Sequence, residues 1–333
     1  MEERQGDSSI DEIMEQILAA YSLTADKISR QGDGWWIVSG AKMLEIRRFK
    51  GETDRLQTAL SWQRHLQKKR RGLVPEVLPA QGGQDYLAVE GHVYYVLVRA
   101  EDDSFLSSEP AHLVLAVKSL ADLHASSRGY QTAGHKEALL GPQIIQNRLT
   151  SLIWYYKNFR SCRQKSDFAG IYTEYFSFIY DQGQESLQKM VAGGYENKMK
   201  ERAQILLNTF CPASLAVRGE GVSFLELNKW TIGLEVMDLA LFLSSFLPRY
   251  KWDAALTLQL LENYEVQNKL AYQEKQLLLA FLRFPYRFWL YAYQYYNRIV
   301  SAPELARKLE NYIYESYLRD KCLDGLDNWL WRD

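Results

Sequence analysis

The residues best suited to metal-dependent chemistry lie in one short segment, SFLELNKWTIGLEVMDLALFL, at residues 223–243. An apolar run there ends near Glu226 and Asn228, and a turn then leads into a helix that opens at Asp238. Carboxylate and amide oxygens are the ligands that hard cations such as Mg²⁺ prefer. No aspartate lies between Asp181 and Asp238. Any carboxylate in that span must therefore come from a glutamate.

Common nucleotide-binding and catalytic motifs are absent from the sequence. It has no Walker A loop and no G-x-G-x-x-G turn, and it lacks the H-E-x-x-H and G-x-S-x-G patterns. The histidines do not have the spacing of metal ligands; they are His65, His92, His112, His124 and His135. We interpret His124, in the helical run LADLH, as a structural residue with a hydrogen-bond partner.

Length and charge restrict the class of protein. The chain has 333 residues, 47% of them hydrophobic, and 40 basic residues nearly balance 41 acidic ones. This composition suits a packed core and gives no global attraction to nucleic acid or to a membrane surface. No apolar run reaches the roughly 18–20 residues that span a bilayer, and the acidic amino end lacks a signal-peptide core. We therefore expect a cytoplasmic protein without nucleic-acid or membrane partners.

The cysteines and the aromatic residues favour structural roles. Cys162, Cys211 and Cys322 are far apart in sequence, so we expect buried, reduced thiols and neither a disulfide framework nor a zinc site. Aromatic residues are concentrated in the last third, as in FPYRFWLYAYQYYN. They predict a helical core rich in large side chains, with an aromatic interaction surface as the alternative.

The first hundred residues alternate helical and extended patterns. The chain opens with a helix, and the runs WWIVSG and KMLEIRRF, separated by Gly40, predict an antiparallel hairpin. A helix follows over about 52–69, and DYLAVE and HVYYVLVRA predict a second hairpin through Glu90 and Gly91. Residues 1–99 are therefore predicted to form a β-rich N-terminal lobe that also contains helices.

From residue 100 to residue 333 the pattern is almost wholly helical, apart from a break near 215–232. The run HLVLAVKSLADLHASSRGY predicts a helix that ends before Gly129. Further helical segments are predicted at 143–160, 166–191, 197–208, 238–247, 253–264, 272–299 and 302–320. Residues 100–333 are therefore predicted to form a helical C-terminal lobe with a small β insertion.

Three segments are similar to a known family: LADLHASSRGY, MDLALFLSSFLPRYKWD and LRFPYRFWLYAYQYYN. They resemble the spore coat CotS-type family, a degenerate branch of the aminoglycoside/choline kinase-like phosphotransferases, and the third looks like that family's fwk-YY signature. The resemblance extends over most of the chain, from about residue 10 to about residue 320. It implies an α+β, bilobal protein-kinase-like fold of the aminoglycoside phosphotransferase type, with a small β-rich N-lobe and a large helical C-lobe.

The resemblance also implies where a nucleotide-binding lysine would lie. Active members place a lysine of the N-lobe against the α- and β-phosphates, and the corresponding position here is Glu45. An acid at that position repels triphosphate. Neighbouring cations are Lys42, Arg47 and Arg48, and strand alternation places Arg47 on the same face as Glu45.

The other catalytic positions are also degenerate when the family spacing is applied. The base position corresponds to Thr209 and the asparagine position to Ser214; a threonine is not basic at neutral pH. Counting back from Asp238 places Glu226 at the magnesium-binding aspartate and Asn228 at the second acid. Asp238 itself is retained, and the resemblance implies a structural clamp that accepts backbone N–H groups of the catalytic loop and caps the helix.

These residues favour a pseudokinase, which would need no cofactor. The resemblance implies a structural or scaffolding component of the bacterial endospore coat, made in the cytoplasm of the mother cell and bound to coat or coat-morphogenesis proteins. A divergent small-molecule or protein phosphotransferase, with carboxylates drawn from Glu220, Glu226 and Glu235, is one alternative. A sensor that binds a nucleotide or metabolite without catalysis is another; ATP and magnesium would be involved only in these alternatives.

Overall fold

The computed structural model describes residues 3–31, 34–100, 104–107, 109–131, 141–161 and 166–331. Cys162 and His135, considered above, lie outside these residues. Strands are β1 (Lys27–Gln31), β2 (Gly34–Ser39), β3 (Lys42–Phe49), β4 (Glu76–Leu78), β5 (Leu87–Val89), β6 (His92–Arg99), β7 (Ser104–Phe105), β8 (Gln204–Leu206), β9 (Leu215–Arg218), β10 (Gly221–Phe224) and β11 (Thr231–Gly233).

The helices occupy most of the second half of the chain. They are α1 (Glu3–Ala20), α2 (Thr53–Lys69), α3 (Pro110–Ser127), α4 (Pro142–Ser161), α5 (Asp167–Ala192), α6 (Tyr195–Arg202), α7 (Glu235–Phe246), α8 (Ala254–Glu265), α9 (Tyr272–Arg283), α10 (Tyr286–Tyr296), α11 (Ala302–Asp324) and α12 (Asp327–Leu330). No helix among the described residues is both long and apolar enough to cross a membrane.

Contacts within the chain divide it into two compact units. Unit 1 consists of Met1–Gly134 and Pro212–Trp230, and unit 2 consists of His135–Cys211 and Thr231–Asp333. The small β insertion is therefore divided between the units, with β9 and β10 in unit 1 and β11 in unit 2. The lobe boundary that the sequence suggests after residue 99 stays a prediction.

Unit 1 is built on a six-stranded antiparallel sheet in the order β1-β2-β3-β6-β4, with β5 also paired to β6. Both predicted hairpins are confirmed, as β2–β3 and β5–β6. The central strand β6 is buried on both faces, because its residues alternate between two apolar clusters. Tyr94 and Val96 pack in the cluster that includes Ile17 of α1, whereas Tyr95 and Leu97 pack with α2.

A second sheet of unit 1, in the order β10-β9-β7, attaches to the surrounding chain through hydrogen bonds donated by its backbone N–H groups. The N–H of Val222 donates to Ser119 Oγ of α3 at 2.9 Å, and the N–H of Phe224 donates to the Leu73 carbonyl at 2.8 Å. These bonds position the loop that follows β10, which carries Glu226 and Asn228.

Unit 2 is helical and has an aromatic core. Phe168 stacks on Tyr295 with ring centroids 4.4 Å apart, and Tyr172 stacks on Phe288 at 4.3 Å. Other aromatic side chains of the same helices are exposed, for example Tyr293 and Tyr296. The aromatic residues of the last third therefore supply both a core and part of the surface.

Two helix predictions in unit 2 are wrong. The predicted helix at 197–208 stops at Arg202, since Gln204–Leu206 is instead a fully buried strand paired with β11; tertiary pairing outweighs the helical pattern there. The predicted helix at 272–299 is two helices, α9 and α10. Pro285 separates them because proline has no N–H to continue the helix and pushes the preceding residue into an extended conformation.

The expectation that the cysteines are buried is wrong for one of them. Cys322 is buried in α11, whereas Cys211 is exposed. Cys211 immediately precedes a short 3₁₀ helix, Pro212–Ser214, in the connection between β8 and β9.

Candidate functional site

The predicted site residues are distributed over both units. Unit 1 contains Glu45, Ser214, Glu226 and Asn228, and it also contains His124, which is completely buried in α3. Unit 2 contains the other two positions, which are Thr209 and Asp238.

In unit 1 the side chain of Arg47 connects two of the predicted positions. Its Nε donates to Glu45 Oε1 at 2.7 Å, as expected for two residues on the same face of β3. Its Nη1 donates both to Glu226 Oε1 and to the Leu225 carbonyl at 2.9 Å. The carboxylate at the expected metal position is therefore bound by a guanidinium.

A second arginine completes this arrangement from the neighbouring strand. Nη1 of Arg99 donates to Glu45 Oε2 at 3.2 Å, and the guanidinium lies over the Trp36 ring with its carbon 5.0 Å from the centroid. Glu45 pairs with Trp36 on one side and with Leu97 on the other, so Arg99 lies diagonally across from it. Both oxygens of the Glu45 carboxylate thus contact a cation.

We call Glu45, Arg47, Arg99 and Glu226 the charge cluster. It pairs two carboxylates with two guanidinium groups. Its side chains are largely withdrawn from water, with 1% of Arg99, 11% of Glu45, 15% of Arg47 and 28% of Glu226 exposed. Burial alone would lower the pKa of Arg47, but Tyr95, Glu45 and Glu226 raise it, and the net shift is upward. Arg47 therefore stays protonated.

The remaining unit 1 positions lie in the loop that carries Glu226. The carbonyl of Ser214 accepts the Leu225 N–H at 2.9 Å, so Ser214 supports this loop through its backbone. Asn228 Oδ1 is buried and has no hydrogen-bond partner. The loop ends at Trp230, whose Nε1 donates to the Arg55 carbonyl at 3.0 Å beneath the Arg55 guanidinium. These contacts hold the loop on α2.

In unit 2, Asp238 binds the chain that leads to the base position. Its Oδ2 accepts the Leu207 N–H at 2.7 Å, and its Oδ1 accepts the Asn208 N–H at 2.9 Å. Only 1% of Asp238 is exposed. Asn208 has a positive φ of 57°, a conformation that asparagine tolerates better than most residues. Thr209 follows directly and is half-buried.

Asp238 does not cap α7, which corrects one part of the sequence expectation. The N-cap residue is Leu234, and Asp238 lies four residues further on, in the first turn of the helix. Its carboxylate oxygens accept the loop N–H groups of Leu207 and Asn208, so Asp238 positions this loop.

No group of three or more His, Cys, Asp or Glu side chains that could hold a metal ion occurs within the described part of the chain. Arg99, which closes the charge cluster, was not among the residues that the sequence indicated. Arg99 follows Leu97, the residue opposite Glu45, by two positions and therefore lies on the same face of β6. This relation can be recognised only once the pairing of β6 with β3 is known, because the two strands are far apart in sequence.

The structure is similar to those of known phosphotransferases. An aminoglycoside phosphotransferase from Alicyclobacillus acidocaldarius superposes with a TM-score of 0.85 at 17% identity, over 94% of this chain and 95% of that one. The amicoumacin kinase hAmiN gives 0.62 at 13% identity, covering 96% of each chain. A microcompartment-associated aminopropanol kinase gives 0.60 at 15% identity, over 94% of this chain and 97% of that one. At these identities the likeness shows the fold alone.

The sequence comparisons identify the family. No curated protein matches the chain. A family model described as "Spore coat putative kinase YutH" matches residues 14–326. Together with the aminoglycoside phosphotransferase-like fold, this match confirms the resemblance that the sequence motifs indicated. The chain belongs to the spore coat kinase-like family that this model describes.

Proposed function

We propose that this protein is a catalytically inactive kinase-like protein that acts as a structural or scaffolding component of the bacterial endospore coat. The observation that carries the proposal is the bond between Arg47 and Glu226, 2.9 Å long, at the position where an active relative would bind magnesium. The family's description supplies the association with the coat.

The charge cluster is a poor site for magnesium and triphosphate. Mg²⁺ requires oxygen ligands in near-ideal octahedral geometry at about 2.0–2.1 Å. Arg47 already binds Glu226 Oε1, so a magnesium ion held by Glu226 would lie beside a guanidinium and be repelled by it. Glu45, at the lysine position, would meanwhile repel the phosphates. Phosphoryl transfer requires a cation against the phosphates and carboxylates that hold the metal ion.

The residue at the base position, Thr209, also supports an inactive protein. Thr209 cannot accept a proton at neutral pH, and losing general-base assistance alone costs about 10²–10⁴ in rate. By contrast, Asp238 still binds the Leu207 and Asn208 N–H groups, so the loop architecture is retained without its chemistry. A scaffold requires only the architecture.

The first test is the melting temperature of the purified protein with and without millimolar ATP, each with and without magnesium. We expect no shift under any condition. A ligand at one hundred times its Kd would add about 2.7 kcal/mol to the stability of the folded state and would be readily seen. A magnesium-dependent shift that disappears in Glu226→Gln would contradict the proposal.

A second test addresses the coat. In a sporulating strain that lacks the protein, the wild-type chain and the Glu226→Gln and Thr209→Ala variants should restore spore coat composition and resistance equally. Asp238→Ala, which should unfold the loop, serves as the negative control. If neither Glu226→Gln nor Thr209→Ala restored the coat although both variants reached normal protein levels, an enzymatic role would be favoured.

A divergent phosphotransferase or a nucleotide-binding sensor remains the second candidate. The observation that favours it is the fold, because the similar solved structures are phosphotransferases and kinases. Magnesium-dependent ADP formation that is lost in Glu226→Gln would support the enzyme. Nucleotide binding without turnover would support the sensor.

A further inference from the structure

Unit 2 contains a cavity of about 550 Å³ that the charge cluster does not touch. Its walls come from α4, α7, α9, α10 and α11. Much of the lining is apolar or aromatic, including Met237, Trp252, Phe281, Phe284 and Leu290. A volume of this size suits a small organic molecule.

The charged groups in the lining are mostly basic, with three arginines and one glutamate: Arg148, Arg287, Arg319 and Glu315. Arg287 is already engaged, because it donates to Glu315 and to the Ser244 carbonyl, each at 3.1 Å. Arg319 is also engaged, with Asp320 at 2.9 Å. These two arginines therefore have protein partners.

Arg148 differs from the other two. Its guanidinium carbon lies 4.8 Å from the ring centroids of both Tyr286 and Trp289, which hold the side chain in place. Its Nη1 is buried and has no hydrogen-bond partner. Burial lowers the pKa of Arg148, as expected for a cation removed from water. A buried N–H donor without an acceptor is costly and is uncommon in folded proteins.

We propose that this cavity binds a small organic anion, whose apolar or aromatic body fills the lining and whose carboxylate, sulfonate or phosphate accepts hydrogen bonds from Arg148. Guanidinium groups bind such oxyanions with two parallel N–H donors, and they do so more strongly when water is excluded. The stacking on Tyr286 and Trp289 orients the group before the ligand arrives. This proposal does not depend on whether the protein is catalytically active.

The test uses two fluorescent probes that differ in charge. 8-Anilinonaphthalene-1-sulfonate carries an aromatic body and a sulfonate, and N-phenyl-1-naphthylamine is the same body without the sulfonate. We expect saturable binding of the sulfonate probe at one site per chain. Arg148→Gln should weaken that binding at least about tenfold and leave the affinity for the neutral probe unchanged.

A matched control lies on the same helix. Arg160 also lies near a tyrosine ring, with its guanidinium carbon 6.0 Å from the Tyr156 centroid, but it does not line this cavity. Arg160→Gln should leave binding of both probes unchanged, and Arg148→Lys should bind the sulfonate probe more tightly than Arg148→Gln. Equal losses in Arg148→Gln and Arg160→Gln, or no loss in Arg148→Gln, would overturn the proposal.

A measurement on the wild-type protein keeps the proposal falsifiable if Arg148→Gln does not fold. Naphthalene-1-sulfonate should displace the bound sulfonate probe at concentrations at which naphthalene-1-sulfonamide does not. Equal displacement by both compounds, or no saturable binding of the probe at all, would mean that the cavity does not select anions.

Discussion

Glu226 and Asp238 are two acids of one short segment, and the structure uses them in different ways. Glu226 binds a side-chain guanidinium in unit 1 and keeps 28% of its side chain exposed. Asp238 binds two backbone N–H groups in unit 2 and is 1% exposed. In the first case a carboxylate is neutralised by a cation, and in the second it determines the path of a loop.

The difference shows two ways in which this fold uses a buried or half-buried carboxylate. Glu226 is balanced by the guanidinium of Arg47, which comes from a strand of another sheet, so each charged group satisfies the other. A carboxylate that accepts backbone N–H groups has no such substitute, since the donors belong to the chain itself. One acid therefore takes part in side-chain pairing, and the other fixes the backbone of a loop.

The largest expected effect comes from Arg47→Met, which breaks the charge cluster. It leaves Glu45 and Glu226 without their shared partner, and removing one member of a buried ion pair costs about 3–5 kcal/mol. We expect that loss in the free energy of unfolding from urea titration. A change smaller than about 1 kcal/mol would mean that water compensates both carboxylates.

Asp238→Asn tests the other side of the comparison. The amide keeps one acceptor but directs an N–H₂ group toward a backbone donor, so one of the bonds to Leu207 and Asn208 is lost. We expect a loss of about 2–3 kcal/mol, as for a buried hydrogen bond to a charged group. Amide hydrogen exchange should speed up at Leu207 and Asn208 and stay unchanged in the β2–β3 hairpin.

A double-mutant cycle sharpens the comparison within the cluster. Arg47→Gln and Glu226→Gln, singly and together, should give a coupling energy of about 1–2 kcal/mol, since residues in direct contact are not additive. The partial exposure of Glu226 keeps this below the cost of losing Arg47 altogether. Pairing Arg47→Gln with Asp238→Asn is the control and should give additive effects.

A further test concerns the pH dependence of stability. Tyr195, whose hydroxyl lies 3.9 Å from Met237 Sδ, has its pKa raised by burial from 10.0 to about 12. Between these values the unfolded chain releases the phenol proton and the folded chain retains it, so stability falls as pH rises. Tyr195→Phe should therefore lose less stability than the wild type from pH 10 to pH 12. Identical pH profiles would contradict the shift.

Local sequence patterns predicted much of the fold. Gly40 and the Glu90-Gly91 pair separate runs of β-forming residues, and both hairpins occur where these signals place them. Strand β8 was missed because its apolar residues fit a helical period equally well, and only pairing with β11 decides between the two. The break at Pro285 was missed even though proline signals it locally.

The sequence by itself determined which chemical groups are present. It contains no aspartate between Asp181 and Asp238, and it has Glu45 where a lysine would be expected. Those identities do not depend on folding. Only the tertiary structure decided what the groups do, because Arg47 reaches Glu226 across a sequence separation of 179 residues. Side-chain partners so far apart are set by strand register and packing, and no local pattern of residues records them.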